Sequence, residues 1–184
     1  DLKENWTREE IHSLLTEDWK DFRKAGEARY GKNGLPHGEV FWDRLRDNMS
    51  QDSVEESSRL LFAVIARRAN IRVFPTDELS MAKPNSIEFD LFQQSSIGPG
   101  SPIGVYRFSR DKKWAYVQTR FIRGWIHRQD LALAKERTEI VDYEEAKDPL
   151  VVTGNVVTVF GDPSFRQRAF TAQMGDFFPL LSAP

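Results

Sequence analysis

The sequence predicts a mainly β protein with an N-terminal helical segment, α+β in class, in which a small barrel follows the helices. Three observations carry this prediction. Helical spacing behind a capping box runs to about residue 50. From about residue 60 the pattern changes to short apolar stretches separated by turn residues, at the spacing of roughly 8–12 residues expected of barrels and sandwiches. Finally, the 184 residues are 40% apolar and 29% charged, which supplies a packed core and argues against disorder.

The helical segment opens at Thr7-x-x-Glu10, a capping box in which the hydroxyl accepts an orphan N–H and the carboxylate reaches back. Ile11, Leu14, Leu15, Asp18 and Phe22 follow at helical spacing, with Asp18 the polar exception, and Gly26 and Gly31 allow a stop. A second short helix is expected over 39–48, with Phe41, Trp42 and Leu45 as its apolar contacts. Two short helices do not make a bundle, so they read as a clip that packs on something else.

In "LLFAVIA" (60–66) the apolar run suits a strand or a helix. "NIRVFPT" (70–76) reads as a strand ended by Pro75. Residues 77–96 form a polar loop holding the apolar island "FDLF". Strands are then expected in "SPIGVYRFS" (101–109), "KWAYVQT" (113–119) and "RGWIHR" (123–128), with "QDLALA" as a short terminal turn or helix. Strand alternation puts Trp114 and Tyr116 on one face and Ala115 and Val117 on the other. The expectation is one buried pair and one partly exposed pair, without saying which. Trp125, between Gly124 and Ile126, is expected in the core.

An internal comparison suggests repetition. "NIRVFPT" has a counterpart in "NVVTVFGD" (155–162), and "IGPGSPI" (97–103) in "MGDFFPL" (174–180), where Ile97/Met174, Gly98/Gly175, Pro102/Pro179 and Ile103/Leu180 align. The second copy has nothing equivalent to "KWAYVQT" and "RGWI", so an open edge and an exposed apolar face are expected there, with the natural chain continuing beyond Pro184.

Several function classes lose support. A net charge of −2 does not suit a nucleic-acid binder. No apolar run approaches the length of a membrane span. The chain begins with Asp1 rather than Met, as a processed or trimmed product does, which leaves room for a removed export signal. The absence of cysteine excludes disulfides, thiolate zinc sites and a cysteine nucleophile within these residues. "GEARYGKN" (26–33) approaches the phosphate-loop pattern, but Asn33 lacks the magnesium-binding hydroxyl and the loop follows a helix rather than a strand. Gly98, Gly100 and Gly104 have the wrong spacing for a dinucleotide loop and read as turn residues beside Pro99 and Pro102. His12, His37 and His127 are scattered, no metal-ligand pair is present, and no G-x-S-x-G elbow appears. "DYEEAKD" (142–148) reads as an acidic linker. Asn5 and Asn48 head glycosylation sequons, which matter only in a eukaryotic secretory setting. No catalytic residue, metal or cofactor is expected.

A more specific pattern lies in Arg72-x-Phe74-Pro75-Thr76, Phe89-Asp90-x-Phe92-Gln93, Gly100-x-Pro102, Asp111-x-x-Trp114-x-x-Val117, Gly124-Trp125-Ile126 and Asp130-Leu131-Ala132. Over residues 60–135 it resembles the first bacterial SH3-like domain of NlpC-type cell-wall cysteine peptidases. The resemblance implies a helical clip at 1–58, an SH3-like barrel at 59–136 closed by the two Trp-bearing stretches, an acidic linker at 137–149, and the beginning of a second SH3-like unit at 150–184.

The resemblance also implies an exported protein, in the periplasm or cell envelope, that acts on peptidoglycan by cleaving stem peptides between γ-D-glutamate and the diamino acid. That chemistry belongs to a C-terminal papain-like domain with Cys and His, absent from these residues. The expected role is therefore non-catalytic: targeting and shaping the substrate site, with the stem peptide and the catalytic domain as partners. The loop 77–96 would help to wall the pocket, through Phe89, Phe92 or nearby Tyr116; alternatively Phe89 and Phe92 plug the barrel end. A stand-alone SH3-like module that recruits a protein or wall polymer by a groove or an open edge is the other function class.

Overall fold

The computed structural model describes residues 3–24, 26–50, 57–86 and 88–180; the expectations attached to Asp1 and to 181–184 lie outside them. Strand β1 (Asn5–Thr7) leads into helix α1 (Arg8–Phe22) through the expected capping box. Thr7 Oγ1 accepts from Glu10 N at 3.2 Å and Glu10 Oε2 from Thr7 N at 2.9 Å. Lys3 and the Thr7 N–H hold the Glu10 carboxyl below its usual value. The helix stops ahead of the two glycines. Its buried residues are Ile11, Leu15 and Asp18, one stripe of a 3.6-residue period. Helix α2 (Glu39–Met49) buries Trp42, Leu45 and Met49 on the same principle.

The β region is one antiparallel sheet of seven strands. It comprises β3 (Leu61–Ile65), β4 (Ala69–Arg72), β5 (Gln93–Ile97), β6 (Pro102–Phe108), β7 (Trp114–Gln118), β8 (Arg123–His127) and β9 (Leu131–Leu133), in the order β5-β4-β8-β7-β6-β3-β9. A further strand, β2 (Ser57–Arg59), pairs with β1. "LLFAVIA" is therefore a strand. "QDLALA" takes a single 3-10 turn, Arg128–Asp130, and then pairs with β3 instead of ending as a helix. The two Trp-bearing strands form a hairpin with Tyr116 opposite Trp125, which joins β6 to β4.

Both faces of this sheet are buried, because each has its own cover. One face holds Ala63, Ile65, Ile71, Val105, Val117 and Ile126, with Ile97 of β5 and Leu131 of β9 packed against them. The two end strands thus curl around one aliphatic interior, as in a small barrel. The other face carries Trp114, Tyr116 and Trp125 and is covered by Ile11 and Leu15 of α1 and Trp42 and Leu45 of α2. This corrects the expectation of one exposed pair: Trp114 and Tyr116 are buried, as are Ala115 and Val117. Isolated strand alternation cannot register a helical cover contributed from far away in sequence, with Leu45 the nearest of those four helical residues to Trp114 and Ile11 the farthest from Trp125. The aromatics do not fill the barrel; they form the layer to which the clip is glued.

Beyond β9, the segment expected as a linker contains helix α3 (Arg137–Glu144). The Lys135 N–H donates to Glu139 Oε2 at 3.0 Å, and Ile140 is buried. Four strands follow: β10 (Pro149–Val151), β11 (Val156–Phe160), β12 (Arg168–Gln173) and β13 (Phe177–Pro179). Their pairing repeats the first unit. β3 pairs with β6 and β4 with β5; likewise β10 pairs with β13 and β11 with β12. The Gly and Pro alignment expected from the sequence is out by two residues, however: Gly175 N donates to Val152 O as Gly100 N does to Ile65 O, and Phe177, opposite Val151, takes the place of Pro102, opposite Val64. Among the described residues, nothing covers the edges of β10, β11 and β13 that in the first unit carry β9, β8 and β7. Leu150, Val151, Val156 and Phe177 are accordingly exposed.

The two units meet through their matching turns. A Cβ added to Gly98 would lie 2.6 Å from Asp176 Oδ1, and one on Gly100 would lie 2.7 Å from the Tyr143 hydroxyl and 3.1 Å from Phe177 O. Arg68 Nη2 donates to Asp176 Oδ2 at 3.1 Å across this contact.

Candidate functional site

The loop after β4 is long, polar and surface-bound, yet a buried ion pair fixes its course. Arg72 leaves the strand with its guanidinium nearly enclosed and its Nη1 2.9 Å from Asp90 Oδ2. Its Nη2 donates to Glu78 O at 2.8 Å. The other Asp90 oxygen accepts from Ser80 N and Phe92 N, both at 3.0 Å. One carboxylate and one guanidinium thus tie the beginning of the loop to its end. Buried charge is tolerable there because the two groups are paired and most of their donors and acceptors are filled, with Arg72 Nε the one guanidinium nitrogen left without a partner.

A second segment braces the loop. Tyr30 and Met81 exchange two backbone hydrogen bonds of 2.9 Å. His37 Nε2 lies 2.8 Å from Leu79 O; a carbonyl only accepts, so that nitrogen carries the proton. Gly34 approaches Asn85 so closely that a Cβ would lie 2.7 Å from Asn85 Oδ1, and its φ of +74° favours glycine.

These braces separate the three candidate residues. Phe92, 1% exposed, lies in the clip–barrel seam with its ring 5.1 Å from Phe74 and 6.0 Å from Trp42. Tyr116, 0% exposed, belongs to the same aromatic cluster. Its hydroxyl donates to Asp18 Oδ2. Burial, reinforced by the Asp18 charge, pushes the phenol pKa far up, so the proton stays on the oxygen. Asp18 Oδ1 in turn accepts from Arg123 Nε at 3.0 Å. Phe89 is different: the same loop presents it to solvent at 76% exposure. The structure brings Phe92 and Tyr116 together inside the fold and leaves Phe89 on the surface.

Sequence reasoning picked out Arg72 and Asp90 as motif residues but not as partners of each other. Asp90 is visible within the apolar island, but its partner Arg72 is 18 positions earlier and reads as the polar side of a strand. Phe121, 88% exposed at the β7–β8 tip, also went unremarked. Thr119 Oγ1 fixes that tip by accepting from Phe121 N at 3.2 Å and Ile122 N at 3.0 Å. The only signal for it was an aromatic residue inside a polar turn.

Among the described residues no group of His, Cys, Asp and Glu could hold a metal ion, and no helix is long and apolar enough to cross a membrane. The three histidines keep separate company: His12 with Thr16, His37 with Leu79, and His127 with Asp77.

Comparison with known proteins locates this fold. Residues 80–127, from the braced loop to the end of β8, match the family model of the SH3 domain (SH3b1 type). Among solved structures, the chain is similar to an NlpC/P60 endopeptidase from Photobacterium damselae subsp. piscicida, with a TM-score of 0.72 and 19% identity. The alignment covers 94% of this chain and 38% of that one. The likeness therefore takes in the clip and the second unit as well as the seven-stranded sheet, and at this identity it is a likeness of fold. No curated protein matches the sequence.

Proposed function

We propose that this chain is the non-catalytic targeting and substrate-shaping region of a bacterial peptidoglycan endopeptidase of NlpC type, exported to the periplasm or cell envelope. The observation that carries the reading is the fold likeness to an NlpC/P60 endopeptidase over 94% of the chain. In this reading residues 150–184 begin a second SH3-like unit, and a catalytic domain with Cys and His belongs to the same protein. The stem peptide meets the braced loop at Phe89, the one candidate residue with its ring in solvent. Phe92 and Tyr116 act from inside, holding the surface on which Phe89 stands.

The test is retention of the 184-residue chain on purified peptidoglycan sacculi, followed by competition with a free stem tetrapeptide. Retention that the tetrapeptide relieves, and that Phe89→Ala weakens, supports the reading. A chain that does not bind sacculi overturns the targeting role.

A second reading is supported by the exposed apolar edges of β10, β11 and β13: a module that recruits a protein partner or a second copy by strand addition. It predicts self-association in sedimentation velocity that a charged residue at Val156 abolishes. A monomer at all concentrations, with no partner bound at that edge, removes it.

A further inference from the structure

The β6–β7 turn and the end of β8 build a basic hollow that the reading above leaves unused. β7 and β8 pair with Trp114 opposite His127, and Arg128 N donates to Lys113 O at 2.8 Å. This register sets the two lysines of the turn beside His127 at the end of β8 and Arg128 just after it. Lys112, Lys113, His127, Arg128 and Gln129 line a concavity of about 560 Å³.

Three features mark it as more than solvated charge. First, none of the ion pairs among the described residues engages Lys112, Lys113 or Arg128. Of the nearby carboxylates, Asp111 attracts Lys113 through space, but its oxygens are spent on other donors. Asp111 accepts from Ser109 Oγ at 2.6 Å and Lys113 N at 3.0 Å, and Asp77 meets His127 Nε2 at 2.8 Å. Second, two of the lining groups are fixed against rings: the Arg128 guanidinium lies 4.6 Å over Phe108, and the His127 ring stacks on Trp114 at 3.8 Å. Positioned side chains lose less freedom on binding than free ones. Third, Lys112 has a φ of 60°, the left-handed region where glycine or asparagine is favoured. A lysine there costs backbone stability that a glycine would not. The accumulation is local: between Arg107 and Arg128, Asp111 is the only acid among seven lysines and arginines, in a chain whose net charge is −2.

We infer that this hollow binds a phosphate group, presented as the phosphodiester of a polymer or headgroup. A phosphodiester keeps one full negative charge on two strong acceptor oxygens, and successive phosphodiesters along a polymer or a headgroup layer add theirs, which two ammoniums and a guanidinium side by side can share. The guanidinium fork and the lysine point charges both suit it. The inference does not depend on stem-peptide recognition, since its residues are not those of the Phe89 loop.

The experiment is a titration of the isotope-labelled 184-residue chain with sodium phosphate at constant ionic strength, followed by amide shifts, with sodium acetate as the comparison. Saturable shifts confined to Lys112, Lys113, His127, Arg128 and Gln129, and much weaker for acetate, are expected. Lys113→Gln and Arg128→Gln should each weaken binding about three- to fivefold. Lys112→Gly should weaken it similarly while raising Tm, because glycine relieves the backbone; a purely structural lysine would not move the two readouts in opposite directions. Soluble poly(glycerol phosphate), set against phosphatidylglycerol vesicles, distinguishes a wall polymer from a lipid surface as the source of the phosphate. Phosphate shifts scattered over the other cations, or an affinity unchanged in the triple variant K112G/K113Q/R128Q, would overturn the inference. Neither result bears on tetrapeptide competition at sacculi.

Discussion

Tyr116 in β7 donates its phenolic hydrogen to Asp18 on the buried face of α1, 98 positions away in sequence. It is a polar link inside an aromatic seam, and it joins the clip to the sheet. Tyr116→Phe leaves the Asp18 carboxylate buried with one partner fewer, which costs about 1–3 kcal/mol. Asp18→Ala removes the acceptor shared by Tyr116 and Arg123. In urea unfolding, the double variant should lose about 1 kcal/mol less than the sum of the single losses. Strict additivity would mean that the two residues do not act as a pair.

Some of this architecture is legible in the sequence, and what is missing has a common cause. The capping box, the second helix and strands β4, β6, β7 and β8 are local patterns, and a local pattern needs no partner to be read. In contrast β5, which is Gln-Gln-Ser-Ser-Ile and lies almost wholly in the stretch expected as a loop, and β9 are strands only because β4 and β3 pair with them. The existence of a repeat is legible too, but not its register. A Gly at +82° and a Gly at +89° make the same turn at Gly100 and Gly175, whereas the Gly and Pro matches in the sequence pair Gly175 with Gly98 and Pro179 with Pro102, two residues out of step. Asp18, in contrast, shows only as a break in an apolar stripe, since its partners Tyr116 and Arg123 are a hundred residues distant. Arg72 looks like a solvent-facing strand residue until Asp90 folds back onto it. The burial of Trp114 and Tyr116 depends on helices whose packing no strand pattern reports. Phe89 and Phe92 are equal in sequence, three positions apart, and only the brace at Asp90 turns one inward and the other out.

The Arg72–Asp90 pair should outweigh the surface pairs in stability. Asp90→Ala strands a guanidinium that is 8% exposed and costs about 3–5 kcal/mol. Asp47→Ala breaks the Arg110–Asp47 pair, where both side chains are mostly in solvent, and costs at most about 1 kcal/mol. Chemical denaturation measures both. Hydrogen exchange adds a local check: the Ser80 and Phe92 amides, which donate to Asp90, should lose protection in Asp90→Ala before the amides of β6 and β7 do. Equal losses in the two variants would show that the loop is not held by this pair.

Asp111 gives the hairpin a pH dependence of definite sign. Burial opposes its charge, but hydrogen bonds from Ser109, the Lys113 N–H and Asn48 prevail and lower its pKa from the ordinary 3.8. A carboxyl with a lowered folded pKa stabilises the fold above its unfolded value, and this contribution disappears as pH falls through the folded value. The stability difference between the wild type and Asp111→Asn should therefore be constant above about pH 5 and shrink below the ordinary carboxylate value. A difference that grows on acidification would reverse the assignment. The contact at stake ties the turn to α2, since Asp111 N also donates to Asn48 Oδ1 at 3.2 Å.

The contact between the two matching turns makes a prediction about the units. Gly98→Ala would drive a methyl group against the Asp176 carboxylate, which already accepts from Arg68 and from Gln173 N. Something must give, and the second unit has fewer buried residues with which to resist. Exchange protection should fall across β12 and β13 while β6, β7 and β8 keep theirs. Gly38→Ala, where a Cβ meets nothing within 4 Å, is the control. Loss of protection spread evenly through both units would mean that they unfold as one body.

Phe89 and Phe92 provide the sharpest separation of stability from function. Phe92 fills the seam between clip and barrel, so Phe92→Ala opens a cavity and costs about 3–5 kcal/mol. Phe89 touches solvent with most of its ring, so Phe89→Ala should stay within about 0.5 kcal/mol of the wild type. If the proposed stem-peptide contact is made at Phe89, sacculus retention falls in Phe89→Ala with Tm unchanged. Phe89→Tyr, which keeps the ring, should restore it. Phe92→Leu, which keeps most of the volume, should bind as the wild type does under conditions where it is folded. Retention lost in Phe92→Leu but kept in Phe89→Ala would move the contact away from the exposed ring and onto the seam beneath it.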